Sequence, residues 1–239
     1  MRPFWIGPSA ISVVLVAACS PSPAPSAQQV LAPSPSPSAH GGGGGGAVQP
    51  ANIKRIGREL PPGYEVSSGI PPAASPRVIW GLKADAARIE ARPAQCAALA
   101  DPGNGRGHSA QGVSGSGSGG IVDAIVVALP ALPGPVAPDH SLLAACGQWT
   151  MVDGRTSAGV RLVDPPHIDG AETVGMAADI RTTVESGTEI DSRAYTFVAY
   201  LGDYYAFTTV TIDPGSALPA LTPQFAADLL VKTASTLRS

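Results

Sequence analysis

The sequence has few charged residues, and basic residues do not outnumber acidic ones. Lys and Arg total 15 against 18 Asp and Glu, so the formal net charge is -3. Proteins that bind nucleic acid usually carry a basic patch or stripe, and this composition therefore argues against a nucleic-acid partner. Beyond the N-terminal 18 residues, no segment has the roughly 20 consecutive apolar residues that a transmembrane helix needs. The N-terminal apolar segment is itself too short to span a bilayer, so we expect no transmembrane helix.

The familiar catalytic and redox motifs are absent as well. The chain has no His-Glu-x-x-His, no Gly-x-Ser-x-Gly and no Cys-x-x-Cys sequence. The glycine-rich stretch Gly103 to Gly120 lacks the Gly-Lys-Ser/Thr ending of a phosphate loop and precedes a strand instead of following one. We expect this stretch to be a mobile surface loop.

The histidines are isolated in the sequence. His167 and Asp169 could lie on one side of a strand, but two ligands are too few for a specific metal site. Asp139, His140 and Ser141 are the residue types of a catalytic triad, yet sequence neighbours do not form a triad in space. Asp139 is better interpreted as a helix N-cap. We therefore expect no enzymatic activity, no metal site and no cofactor.

The N-terminus carries the clearest functional signal. Arg2 precedes the apolar run Ile11 to Val16, and Val16-Ala17-Ala18-Cys19 has the aliphatic-small-small-Cys order of a bacterial lipobox. This pattern predicts a lipoprotein signal peptide over residues 1–18, a diacylglycerol thioether on Cys19, and an acyl chain such as palmitate on the new amine. Two or more acyl chains give stable anchoring, here on the extracytoplasmic face of the cell membrane. The alternative is an ordinary signal peptide that ends near Ala18 with a chance cysteine.

Residues 19–52 read as a disordered tether between the lipid and a folded domain. Pro and Ser alternate through much of it, and Gly41 to Gly46 is an uninterrupted glycine run. Proline-rich sequence is extended and glycine-rich sequence is flexible, and neither buries enough apolar surface to fold. The remaining residues, 53–239, fit a single domain of ordinary size.

The cysteine count predicts one disulfide. The chain has three cysteines, and lipidation of Cys19 leaves Cys96 and Cys146. In an oxidising compartment these two thiols are expected to pair. The alternative is a pair of buried free thiols.

The C-terminal half predicts an antiparallel sheet with a terminal helix. Two β-rich runs, Ala194 to Leu201 and Tyr204 to Ile212, flank Gly202-Asp203, which suits a two-residue type II′ hairpin turn. That turn sets the pairs Tyr200–Tyr205, Val198–Phe207 and Thr196–Thr209. A helix is expected to begin after Thr222, with Pro223 at its first position, and to pack on the sheet.

Other segments complete an α+β fold in which the antiparallel sheet is flanked by helices. Strands are predicted at Ile121 to Leu129, Gln148 to Val152, Gly159 to Val163 and Glu172 to Glu185, and short helices at Ala84 to Ala91, Pro93 to Ala100 and Asp139 to Ala145. The tyrosines at 195, 200, 204 and 205 fit either cross-strand packing or a ligand cleft lined by rings. Packing is the simpler interpretation.

Several segments resemble a group of mycobacterial surface lipoproteins of unknown function. They are LPPGYEV at 60–66, PRVIW at 76–80, PAQCAALADP at 93–102, RTTVE at 181–185, YTFVAYLGDY at 195–204 and FAADLL at 225–230. The layout is also similar to the extracellular sensor domain of mycobacterial PknH-type receptor kinases. That resemblance implies a sheet with helices and a ligand cleft. The sensor domain has two disulfides, whereas Cys96 and Cys146 can form one.

These observations predict a non-enzymatic, lipid-anchored protein of the cell envelope that binds a small-molecule, lipid or cell-wall ligand through a cleft beside the sheet. The ligand-binding residues are not identifiable from sequence. An alternative is a structural protein that contacts another envelope protein, and a third is an unrecognised hydrolase. An enclosed apolar cleft with a few convergent polar groups would favour the first hypothesis.

Overall fold

The computed structural model of the chain describes residues 46–83, 88–105, 109–130 and 137–239. Within these residues lie nine strands: β1 (Glu65–Ser67), β2 (Glu90–Arg92), β3 (Ser109–Gly117), β4 (Gly120–Ala128), β5 (Gln148–Asp153), β6 (Thr156–Val163), β7 (Glu172–Thr183), β8 (Glu189–Leu201) and β9 (Tyr204–Ile212). They form one antiparallel sheet in the order β1-β3-β4-β9-β8-β7-β6-β5-β2. The α+β fold predicted from the sequence is confirmed. The predicted signal peptide, Cys19 and most of the predicted tether lie outside the described residues.

In the part of the chain that the structure describes, three α-helices and two longer 3-10 helices accompany the sheet. The α-helices are α1 (Pro76–Ile79), α2 (His140–Ala145) and α3 (Pro223–Leu237), and the 3-10 helices are Pro50–Glu59 and Ala94–Ala100. The first 3-10 helix begins three residues before the predicted domain start at residue 53. No helix in the described ranges is long and apolar enough to cross a membrane.

Both predicted helix caps are present. The Thr222 side chain accepts a hydrogen bond from the Phe225 backbone N–H at the start of α3. The Asp139 carboxylate accepts from the backbone N–H groups of Ser141 and Leu142 at the start of α2. These caps satisfy amide groups that have no partner inside the helix, which is why short polar residues mark both helix starts.

The β8–β9 hairpin has the predicted register. Tyr200 lies opposite Tyr205, Val198 opposite Phe207 and Thr196 opposite Thr209. Gly202 has φ +69°, and Asp203 has a negative φ, as a type II′ turn requires. The register follows from the two-residue turn, since a slip of one residue would exchange the faces of every side chain.

Two sequence predictions about local structure are wrong. The stretch predicted as a mobile loop contains β3, which pairs along its whole length with β4. Its glycines allow close packing: a Cβ at Gly115 would lie 2.5 Å from Leu60 Cδ1. In addition, the helix predicted at Ala84 to Ala91 is replaced at its end by strand β2, while residues 84–87 lie outside the described ranges. The segment of β3 is a strand because it pairs with β4, and the segment of β2 is a strand because it pairs with β5. In both cases tertiary context outweighs a weak local preference.

Each face of the sheet carries its own apolar cluster. On the first face, Val198 and Tyr200 pack beneath Trp80, the 3-10 helix Ala94–Ala100 and α2. On the second face, Phe197 packs with other apolar side chains beneath α3 and the 3-10 helix Pro50–Glu59. This two-sided burial explains why β4, between β3 and β9, is apolar at nearly every position.

Candidate functional site

A cleft of about 500 Å³ lies over the first face of the sheet. The 3-10 helix Ala94–Ala100 forms one wall through alanine side chains, and Ile89 and Met151 form the opposite, apolar surface. Polar groups are confined to a few positions, namely Arg77, Gln95, Asp101 and Asn104. A largely apolar concavity with a small number of polar groups is the usual form of a small-molecule site.

The polar end of the cleft is a buried ion pair. Arg77 Nε donates to Asp101 Oδ2 at 2.9 Å, and both side chains are less than a tenth exposed. Arg77 Nη1 also donates to the Leu82 carbonyl oxygen at 3.0 Å. Charges removed from water are costly unless they are paired and hydrogen-bonded, as these are. The pair therefore joins the chain before β2 to the loop after the 3-10 helix Ala94–Ala100.

Asp101 also shapes the loop that closes the cleft. Its carbonyl oxygen accepts from the Asn104 backbone N–H at 2.7 Å, and its carboxylate accepts from the Gly105 N–H at 3.1 Å. Asn104 has φ +47° and is the one non-glycine residue with a positive φ in the described part of the chain. Asparagine tolerates this left-handed conformation better than most residues. The turn thereby places Asn104 at the wall of the cleft.

The sheet tyrosines pack in the core, as the simpler interpretation predicts. Tyr205 is almost fully buried, donates its hydroxyl to the Ala74 carbonyl oxygen at 3.1 Å, and stacks on Phe207. Burial, followed by the nearby Asp101 carboxylate, raises the pKa of the Tyr205 hydroxyl. Tyr195 and Tyr204 are half-buried against the second-face cluster. None of the four lines the cleft described above.

The predicted disulfide between Cys96 and Cys146 is confirmed. Both residues are fully buried, and the bond connects the 3-10 helix Ala94–Ala100 to the C-terminal end of α2. Because this 3-10 helix is a wall of the cleft, the bond also restrains the position of that wall.

The described histidines are exposed and lie apart from the cleft. His140 Nε2 is 3.0 Å from Glu172 Oε2, and His167 Nε2 is 3.1 Å from Asp169 Oδ1. The Ser141 hydroxyl donates to Asp139 at 2.6 Å, not to a histidine, and this bond is the first cause of the lowered pKa of Asp139. In the described ranges no group of three or more His, Cys, Asp or Glu residues could hold a metal ion. His40 and His108 lie outside those ranges.

One buried carboxyl group lies elsewhere on the first face. Asp123 of β4 is 6% exposed, and burial raises its pKa, an effect that a hydrogen bond from the Ser114 side chain partly offsets. Thr209 lies opposite Asp123 on the neighbouring strand. The Thr209 and Thr196 hydroxyl oxygens are 2.9 Å apart, and the Thr196 hydroxyl also accepts a hydrogen bond from the Trp80 indole N–H. These contacts form a polar row across the sheet with no histidine in it.

Comparison with known families identifies the domain. A family model described as a domain of unknown function, DUF5642, matches residues 49–238. The chain belongs to the DUF5642 family. The match begins at the residue before the first 3-10 helix and ends at the residue after α3. It therefore covers the whole sheet and the helices on both of its faces.

The DUF5642 domain is similar to a solved structure from a mycobacterium. This is the X-ray structure of an uncharacterised protein from Mycobacterium smegmatis, the Rv0999 orthologue, with a TM-score of 0.56 and 20% sequence identity. The similarity covers 80% of this chain and 98% of that chain, and it concerns the fold alone. No curated protein gives a significant match. The expected relation to a mycobacterial family of unknown function is confirmed.

The sequence did not reveal the polar end of the cleft in this DUF5642 domain. Asp101-Pro102-Gly103-Asn104-Gly105 is rich in turn residues, and that signal could have indicated the tight loop. Arg77 is 24 residues away from Asp101 and has no local pattern that marks it as a buried partner. Only the folding of both segments onto the sheet brings these side chains together.

Proposed function

We propose that this chain is a lipid-anchored, non-enzymatic protein of the cell envelope that holds a small ligand in the cleft beside Arg77 and Asp101. The cleft is the observation that carries the proposal: its volume of about 500 Å³ suits a small molecule or part of a lipid. The lipobox ending at Cys19 supports the anchor. The resemblance to the PknH-type sensor domain supports ligand binding without catalysis.

The walls indicate the chemistry of this ligand. The alanine side chains and Ile89 offer apolar contact, and Met151, which also lines the cleft, is itself fully buried. At the polar end, the charges of Arg77 and Asp101 are paired with each other. This pair therefore presents a fixed dipole to a ligand and not a free charge. The Asn104 side chain lines the same end and can donate or accept a hydrogen bond. We therefore favour a mainly apolar ligand with one uncharged polar group.

Filling the cleft tests ligand binding. Ala98 is exposed and lines the cleft, so Ala98→Phe should place a ring in the ligand volume without disturbing the core. We expect the dissociation constant to rise about tenfold or more, equivalent to 1.4 kcal/mol of lost binding free energy. The measurement is native mass spectrometry of protein purified from its own host, read as the fraction that carries a co-purifying ligand.

The matched control is Ala51→Phe. Ala51 is also an exposed alanine in a 3-10 helix, but that helix covers the opposite face of the sheet. This variant should keep the ligand occupancy of the wild type. Equal occupancy in both variants, or no ligand in any sample, would contradict binding in the cleft.

Replacing Cys19 tests the anchor. Cys19→Ala removes the sulfur that would carry diacylglycerol, and a polypeptide without acyl chains has no stable hold on the bilayer. We expect the protein to move from the membrane fraction to the soluble or secreted fraction, and mass spectrometry of the wild type to show acyl chains at Cys19. Ser20→Ala is the control and should stay on the membrane. A Cys19→Ala protein that remains firmly membrane-bound would overturn the anchor.

A second candidate function is contact with another envelope protein. Ile121 and Ile190 are 46% and 54% exposed and line a depression of about 710 Å³ on the first face. Large apolar side chains near each other on a surface are common at protein interfaces. This function gains support if the cleft binds nothing and Ile190→Ser removes a partner that co-purifies with the wild type.

A further inference from the structure

The second face of the sheet is covered by helices over only part of its width in the described structure. Helix α3 contacts β4, β8 and β9, and the 3-10 helix Pro50–Glu59 contacts β3 and β4. Farther along the sheet, second-face residues of β5, β6 and β7 such as Thr150, Gly159 and Asp179 are exposed. Two depressions of about 440 and 460 Å³ meet there and share Gly159 and Asp179. We call this surface the β5–β7 groove.

The strand register places one row of small and charged residues along the groove floor. Arg92 lies opposite Thr150, Thr150 opposite Gly159, and Gly159 opposite Asp179. In the adjacent row, Gln148 lies opposite Arg161. Thr150 and Gly159 have small side chains and therefore form the floor of the groove. The long side chains of Arg92 and Arg161 border it. The depression follows directly from small residues between large ones on one sheet face.

The charges around the groove divide into paired and unpaired groups. Arg193 forms an ion pair with Asp179, and Arg181 pairs with Asp191 and Glu189. By contrast, Arg92 and Arg161 form no ion pair or side-chain hydrogen bond within the described residues. Both line the same 440 Å³ depression, together with Gln148 and Thr150. Because Asp179 is neutralised by Arg193, the uncompensated charge at this end of the groove is positive.

We propose that Arg92 and Arg161 form a binding subsite for a phosphate group, separate from the cleft on the first face. Two guanidinium groups present forked donors that match the oxygens of a phosphate, and Gln148 and Thr150 add neutral donors beside them. The open floor at Gly159 leaves room for the rest of a polar ligand, since no atom beyond Gly159 and its two chain neighbours lies within 4 Å of the position that a Cβ would take there. A phosphate monoester, a phosphodiester or a lipid headgroup shares this chemistry.

The test is a calorimetric titration of the full chain in mild detergent with two probes, inorganic phosphate and glycerophosphoglycerol. We expect saturable binding at low ionic strength that weakens as salt rises, because salt screens exposed charges. Arg92→Gln and Arg161→Gln should each weaken binding about tenfold or more, since each removes charge-assisted hydrogen bonds. Arg58→Gln is the matched control: Arg58 is exposed, has no ion pair in the described residues, and lies on another part of the protein. It should bind like the wild type.

Two further variants separate this subsite from general charge effects. Gly159→Val should block the probes while preserving the fold, because the new side chain enters open space and β-branched residues suit a strand. Glu90→Gln should strengthen binding, because Glu90 lies two residues from Arg92 on the same side of β2. Ala98→Phe, which fills the other cleft, should leave phosphate binding unchanged.

The two probes distinguish the source of the phosphate. Tighter binding of glycerophosphoglycerol would indicate a lipid headgroup, and tighter binding of inorganic phosphate would indicate a free anion; both outcomes support the subsite. The proposal is wrong if neither probe saturates, or if Arg92→Gln and Arg161→Gln lose no more affinity than Arg58→Gln.

Discussion

Removing the disulfide should lower the stability of the domain by about 4 kcal/mol, on the chain-entropy model for a closed loop of this length. The bond spans a separation of 50 residues between Cys96 and Cys146. Without it the unfolded chain gains freedom, whereas the folded chain loses only a buried contact. For a domain of this size, we expect the Tm of the Cys96→Ala/Cys146→Ala variant to fall by about 8–16 °C.

The same experiment reports on the cleft. The disulfide holds the 3-10 helix Ala94–Ala100, which is a wall of the cleft, against α2. We therefore expect the variant to bind the ligand less well even where it is folded. Wild-type protein that has been unfolded, reduced and refolded with the reducing agent present should match the variant in thermal unfolding, and the variant itself should not respond to this treatment. A wild-type Tm that is insensitive to reduction would show that the bond does not stabilise the fold.

Breaking the buried ion pair should have an effect of similar size. Asp101→Asn keeps the shape of the side chain but removes the carboxylate charge that pairs with Arg77, and both groups are less than a tenth exposed. Losing one partner of a buried pair typically costs about 3–5 kcal/mol, because the other charge is left in a poorly solvating environment. The substitution also weakens the acceptor for the Gly105 N–H, so the loop beside Asn104 should loosen. Thermal and denaturant unfolding would measure the change.

The surface of the same protein supplies the control for this prediction. Asp191 pairs with Arg181 at 2.8 Å, a geometry similar to that of Asp101 with Arg77, but both side chains are more than half exposed. Solvent screens such a pair, so Asp191→Asn should barely change the Tm. An apolar double variant, Arg77→Met/Asp101→Leu, should recover part of the loss, since it removes both charges of the buried pair. If Asp101→Asn and Asp191→Asn lower the Tm by the same amount, then burial of the Arg77–Asp101 pair does not increase its contribution to stability.

The parts of the fold that could be predicted are those with local causes. Gly202-Asp203 permits a two-residue turn, and that turn alone sets which residues of β8 and β9 face each other. Thr222 and Asp139 mark helix starts because their side chains reach amide groups two or three residues away. In each case the partners lie within a few positions of each other.

The predictions that were wrong concern segments whose structure depends on pairing with another part of the chain. The glycine-rich sequence of β3 has a weak intrinsic preference for a strand, and its pairing with β4 decided its structure. Likewise Glu90–Arg92 became an edge strand through pairing with β5, some 60 residues later in the chain. Local propensity could not report these contacts, because it contains no information about which segment becomes the neighbour.

By itself, the sequence determined the antiparallel α+β architecture, the hairpin register, the helix caps and the pairing of Cys96 with Cys146, and it predicted the lipid anchor at Cys19. The tertiary structure decided where the sites lie. The apolar cleft exists because the 3-10 helix Ala94–Ala100, Ile89 and Met151 pack around a gap above the sheet. The ion pair at its end joins residues 24 positions apart, and the β5–β7 groove combines side chains from β2, β5, β6 and β7. Such sites depend on contacts between distant segments, which no local pattern encodes.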